Sequence, residues 1–124
     1  MMHWPAAELL ASASDERFYR IVVKEPRLRS GAISFAPGDR VKEHMHPDSD
    51  EIFFVLSGSG RLVIEGEILD AGPGDLIYVG AGERHAIAIA DTAPAPFVLI
   101  AAVAPNLGDD AVFSPDPFPF PLPE

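Results

Sequence analysis

His44 and His46 stand one residue apart in the run GDRVKEHMHPDSDEIFFVLSG, residues 38–58, and Glu51 follows five positions after the second of them. Imidazole nitrogens and a carboxylate are donors suited to first-row transition ions. On a β-strand alternate residues share a face, so His44 and His46 can reach one ion while Met45 between them points away. Glu51 then arrives from the next strand, after the turn HPDSDE. The same alternation puts Arg40 and Lys42 on the face of the histidines, and Phe53 and Val55 on the face of Glu51.

Such a site needs strands to carry it, and the chain supplies them. The segments FYRIVVKE, SGAISFA, RVKEHMH, EIFFVLS, GRLVIEG, DLIYVG, HAIAIAD and FVLIAAV are short and rich in β-branched and aromatic residues. Between them lie PG, PD, SGSG, EGE, GPG, GAGE and TAPAP, which is turn chemistry. The expected class is all-β, a sandwich or barrel. One short helix is expected over Trp4–Ser12, with Pro5 in its first turn. The last residues, SPDPFPFPLPE, carry proline at alternate positions, which favours an extended, polyproline-like tail over an interior strand. Phe113, Phe118 and Phe120 are candidates for an arm packed on the barrel or on a partner subunit.

A chain of 124 residues suits one domain with one core. Its formal charge of −10 repels phosphate backbones and anionic bilayers, which argues against nucleic acid and membrane partners. Cysteine is absent, so disulfides, thiolate metal sites and a cysteine nucleophile are excluded. The N-terminal residues lack the basic-then-apolar pattern of a secretory signal, and FVLIAAVA is too short to span a bilayer, so a cytoplasmic location is the expectation. Ser57 and Ser59 have no strand–turn–helix context for a nucleophile elbow. Asp48 and Asp50 read as a solvated turn.

The spacing resembles a known family. From Gly38 there are five residues to His44, one to His46, four to Glu51 and six to Gly58, which resembles the first signature of the cupins. The run GDLIYVGAGERHAIAI resembles their second signature, with Gly74, Gly80, Gly82 and His85 in its fixed positions. Cupins usually carry proline where Gly80 stands and asparagine where Ile89 stands. The resemblance covers about residues 30–104. It implies a double-stranded β-helix, or jelly-roll barrel, with residues 1–29 forming a helix and edge strand, 30–104 the barrel and 105–124 a Pro-rich tail.

The resemblance also implies a ligand set, His44, His46, Glu51 and His85, around one divalent transition metal, whether Fe, Mn, Ni, Co or Zn. Three imidazoles and a carboxylate leave open positions on a six-coordinate ion, where a Lewis acid polarises a carbonyl or enolate. Ile87 and Ile89 share the face of His85 by alternation, so with Phe53 and Val55 they nominate an apolar pocket for a small-molecule substrate. Arg40, Lys42, Arg61, Tyr78 and Arg84 are candidates to orient a polar substrate, with Lys42 first among them. By resemblance to the small cupin dioxygenases, the reading is a metal-dependent oxidoreductase in which Glu51 doubles as ligand and catalytic base. The alternatives are an isomerase or lyase using the same site, or a non-catalytic metabolite-binding module. Dimers are common in the family, and a homodimer is expected.

Overall fold

The computed structural model describes residues 1–11, 13 and 16–115. It holds a short helix, α1 (Ala6–Leu10), and ten strands: β1 (Phe18–Glu25), β2 (Leu28–Phe35), β3 (Arg40–Met45), β4 (Asp50–Ser57), β5 (Gly60–Ile64), β6 (Glu67–Ala71), β7 (Leu76–Val79), β8 (His85–Ala88), β9 (Phe97–Ala104) and β10 (Val112–Phe113). All pairings are antiparallel, in two five-stranded sheets ordered β1-β2-β9-β4-β7 and β10-β3-β8-β5-β6. This is the all-β architecture that the strand and turn pattern led one to expect, in the double-stranded β-helix form that the resemblance implied.

The helix is shorter than its sequence suggests. Pro5 precedes its first turn as the cap, with its carbonyl accepting from the N–H groups of Glu8 and Leu9. The turn expected at EGE is present: Glu65-Gly66, both with positive φ, joins β5 to β6, a strand beyond the expected runs, in a two-residue turn whose twist matches that of its strands. Past residue 104 the chain does not leave the barrel at once: β10 pairs with β3 and completes the second sheet. Phe113 is therefore a strand residue, while Phe118 and Phe120 lie outside the described residues.

The core lies between the sheets because alternate positions of each strand face inward. On β4 the buried residues are Glu51, Phe53 and Val55, with Ile52 and Phe54 exposed on the other face. Phe35, Leu62, Ile87, Ile89, Phe97 and Leu99 fill the interior, each less than 4% exposed. Burying an aliphatic or aromatic side chain of this size contributes about 1.5–3 kcal/mol, so these residues hold the sheets together. At the corner before β5, Gly58 has φ 75°, and a Cβ there would stand 2.1 Å from the Pro96 carbonyl oxygen, so only glycine lets the two chains pass.

One irregularity decides the site. The β3–β8 ladder is regular at Arg40–Ala88 and Val41–Ile87, then shifts before His44 pairs with His85. A bulge inserts a residue and reverses the facing of the positions beyond it. Val41 and His44, three apart, thus both turn inward, and Val41 packs on the core.

Candidate metal centre

Three elements bring the ligands together. His44 lies on β3, His46 directly follows that strand, and His85 opens β8 beside His44. One ring nitrogen from each of the three lies within 4.8 Å of the others, a group able to hold a metal ion. His46 and His85 are buried, and His44 is partly so. The His44 and His85 rings are 4.2 Å apart between centroids. Glu51 reaches the same point from the opposite sheet, with Oε1 3.1 Å from His85 Nε2 and 3.6 Å from His46 Nε2.

The outward nitrogens fix the tautomers. His44 Nδ1–H donates to the Lys42 carbonyl at 2.8 Å, His85 Nδ1–H to the Glu83 carbonyl at 3.0 Å, and His46 Nδ1–H to Asp110 Oδ1 at 2.8 Å. With the proton on Nδ1, each neutral ring presents the lone pair of Nε2 to its neighbours. His85 Nε2 and Glu51 Oε1 are both buried, and neither has a hydrogen-bond partner. Two acceptors facing each other at 3.1 Å repel unless a cation joins them. Three nitrogen donors, a carboxylate and outward hydrogen bonds that orient them fit a divalent transition ion. Burial and the neighbouring His85 push the His44 pKa below its ordinary value, which keeps that ring neutral and available as a donor.

Asp110 is the residue that sequence reasoning missed. It comes from the segment between β9 and β10, 64 positions beyond His46. Ser114, itself buried, anchors that segment: its backbone N–H donates to the Glu43 carbonyl, its hydroxyl donates to Glu43 Oε1, and it accepts from Arg84. Phe113 then stacks near the His44 ring, 5.2 Å between centroids. The loop before His85 has glycine where cupins usually carry proline, and hydrogen bonds hold it instead. Gly80 N–H donates to Glu83 Oε1 at 2.6 Å, and Gly82 N–H donates to the His46 carbonyl at 2.8 Å.

Comparison with known proteins decides the family. A family model described as a cupin domain matches residues 31–101. The chain belongs to the cupins. Over 77 residues it is 36% identical to the tetracenomycin polyketide synthase protein TcmJ of Streptomyces glaucescens, a match covering 61% of this chain and 52% of that protein. It is 34% identical over 61 residues to a 5-nitrosalicylic acid 1,2-dioxygenase of a Bradyrhizobium species, covering 49% of this chain and 29% of the relative. The cupin thus spans about half or less of the length of these relatives. Among solved structures, a Klebsiella pneumoniae protein with a double-stranded β-helix domain superposes with a TM-score of 0.75 at 19% identity, covering 92% of each chain, a likeness of fold. Among the described residues, no helix is long and apolar enough to cross a membrane.

The cupin's cationic candidates fall elsewhere than alternation predicts. Lys42 is exposed, because the bulge turns it away while Val41 and His44 point in. Tyr78 is 59% exposed on the outer face, since Ile77 and Val79 are the inward residues of β7; its phenol hydrogen-bonds Asp50, which raises its pKa. Arg61 pairs with Asp70, Arg84 binds Ser114, and Arg40 donates to the Gly38 carbonyl. Phe53, Val55, Ile87 and Ile89 do face the interior, but they are packed into the core rather than bordering open space. The Phe53 ring lies near that of His85, 6.0 Å between centroids. The open cavity beside His44 and Glu51, about 340 Å³, is bordered instead by β1, β2 and β9, including Tyr19, Ile33, Ala101 and Val103.

Proposed function

We propose that this cupin is a metal-dependent enzyme of the dioxygenase type acting on a small organic substrate, with His44, His46, His85 and Glu51 holding one divalent transition metal. The observation that carries the reading is the unpaired Glu51 Oε1 facing His85 Nε2 across 3.1 Å, with all three Nδ1–H groups already committed outward. The similarity to a 5-nitrosalicylic acid 1,2-dioxygenase supports the reaction class.

A divalent ion held by His44, His46, His85 and Glu51 would supply Lewis acidity and, if redox-active, redox chemistry. The chain's own residues do the rest. Asp110 orients His46, and the Lys42 and Glu83 carbonyls orient His44 and His85. Glu51 borders the cavity, so its carboxylate receives the proton of an acidic hydroxyl or enol as the substrate binds. Val103, Ala101 and Ile33 present apolar surface that limits water around the bound substrate.

In this reading the protein works as a homodimer. Ile52 and Phe54 of β4 lie directly opposite Tyr78 and Leu76 of β7, and all four are exposed on the outer face at the edge of a sheet.

The test is elemental analysis of protein purified without chelator, beside the His46→Ala variant, followed by oxygen-electrode assays with chelating phenols and enols. About one equivalent of iron, manganese, nickel or cobalt, lost in the variant, together with substrate-dependent oxygen uptake, is the expected result. Substrate turnover without oxygen uptake would instead favour an isomerase or lyase on the same ligands. Absence of metal from both proteins would refute the reading, and retained ligand binding would then favour the non-catalytic module.

A further inference from the structure

Two arginines, Arg17 and Arg29, border the cavity beside His44 and Glu51 in a protein whose net charge is negative, formally −10. Arg29, Gly31 and Ile33 are alternate residues of β2 and share one face. The Tyr19 ring lies on that face over Gly31, so close that a Cβ on Gly31 would stand 2.6 Å from it. A residue without a side chain at position 31 is what leaves room for the phenol there. The Arg17 guanidinium lies over the Phe35 ring, 5.2 Å from its centroid, which places it on the same side of β2.

Among the described residues neither guanidinium has an ion-pair partner. Asp109 is the one acid besides Glu51 in the lining, so two guanidiniums face two carboxylates, and one of those is directed at the histidines. With a divalent ion bound, the cavity carries a net positive charge. A planar, always-charged fork suits bidentate recognition of a carboxylate. Tyr19, Ile33, Ala101 and Val103 offer an apolar bed for the remainder of such a molecule, which disfavours a bare inorganic anion.

We propose that the cavity selects a small organic carboxylate, received by Arg29 and Arg17, whose apolar body lies against Tyr19 and Ile33 and whose hydroxyl or carbonyl oxygen points to the His44 and Glu51 end. The proposal rests on the metal reading for the last of these contacts and for the cavity's net positive charge, while the two unpaired guanidiniums stand without it.

The test is calorimetric titration of the full chain, metal-loaded and metal-free, with salicylate and with its neutral counterpart salicylamide, metal content being measured on the same samples. Wild type binds salicylate at least about tenfold tighter than salicylamide in both forms, the scale of one charge-assisted hydrogen bond. Arg29→Gln and Arg17→Gln each erode that ratio, the double variant brings it near one, and Arg29→Lys restores part of it. Because both side chains border open space, the variants keep the wild-type melting temperature within a few degrees. A double variant that keeps the preference, or a wild type that shows none, overturns the proposal. If metal loads stoichiometrically and the preference is absent, the carboxylate assignment falls while the metal reading stands. If no metal loads but the arginine-dependent preference persists, the reverse holds.

Discussion

Replacing Asp110 tests whether the proposed metal centre extends beyond its four candidate ligands. The carboxylate accepts the His46 Nδ1–H at 2.8 Å, and its side chain is only 17% exposed, so water replaces it poorly. Asp110→Ala leaves the His46 ring free to rotate and removes the charge that raises its basicity. Loss of such an outer partner costs about 10–100-fold in metal affinity, which is about 1.4–2.7 kcal/mol. Asp110→Asn keeps an acceptor oxygen without the charge, so its loss falls between wild type and Asp110→Ala. The assay is competition with a chromophoric chelator for Zn(II) or Co(II) at one fixed pH, with melting curves of the metal-free proteins as the control. Asp110→Ala within twofold of wild type would show that His46 is held without it. Equal losses in the two variants would show that the charge matters and the geometry does not.

Three further perturbations probe the protonation, the loop and the outer face. The His44 pKa is lowered in the fold, chiefly by burial, so the unfolded chain binds more protons as pH drops through the ordinary value near 6.5; stability present at neutral pH is therefore lost as pH falls through that value toward the folded one. The melting temperature of metal-free protein should decline between pH 7.5 and 5.5, with a shallower decline in His44→Asn; an identical slope in the variant would refute the assignment. Gly80→Pro removes the N–H that donates to Glu83 at 2.6 Å, costing about 1.5–3 kcal/mol for a bond to a charged acceptor and lowering the melting temperature; a more stable variant would show that the usual cupin proline is accommodated here. Phe54→Glu puts a charge in the exposed β4–β7 face and should yield monomers by sedimentation with the metal retained, whereas an unchanged mass would remove that face as the dimer contact.

Much of the fold was legible because the relevant physics is local. Turn glycines and prolines punctuate β-branched runs, and the inward alternation of Glu51, Phe53 and Val55 holds through β4. The three histidines were legible through type and spacing. What alternation could not carry was Lys42, since nothing in the run VKEH announces the bulge that turns Val41 and His44 to the same side. Tyr78 needed the register as well: Val79 lies opposite Glu51, which sends its neighbour to the outer face. Asp110 depends on a pairing between Phe113 and His44 that spans the chain, and a pair of acids after a glycine reads as an ordinary solvated turn. Arg17 and Arg29 flank no signature at all. They reach the cavity because β1 and β2 form the edge of the first sheet, a fact of topology that composition does not contain.

The division of the site between the sheets explains why the signature says so little about reaction. His44, His46 and His85 belong to β3 and β8 or their ends, in the second sheet, and the outward hydrogen bonds of His44 and His85 also come from that side, while that of His46 goes to Asp110 in the connection between the sheets. Glu51 alone of the four stands on the first sheet, and the cavity wall of Arg17, Tyr19, Arg29, Ile33, Ala101 and Val103 is on or beside the first sheet too. An ion shared by Glu51 and the histidines, as proposed, would tie the two sheets at a point where the apolar core has given way to polar groups. The second sheet can keep its ligand geometry while the first varies its wall, because few side chains serve both purposes. Glu51 and His44 do both: His44 belongs to the histidine cluster and borders the cavity, and Glu51 faces the histidines through one oxygen while bordering the cavity from the other sheet. In the proposed mechanism the substrate proton passes to Glu51, the one of the four proposed ligands that stands on the same sheet as most of the cavity wall.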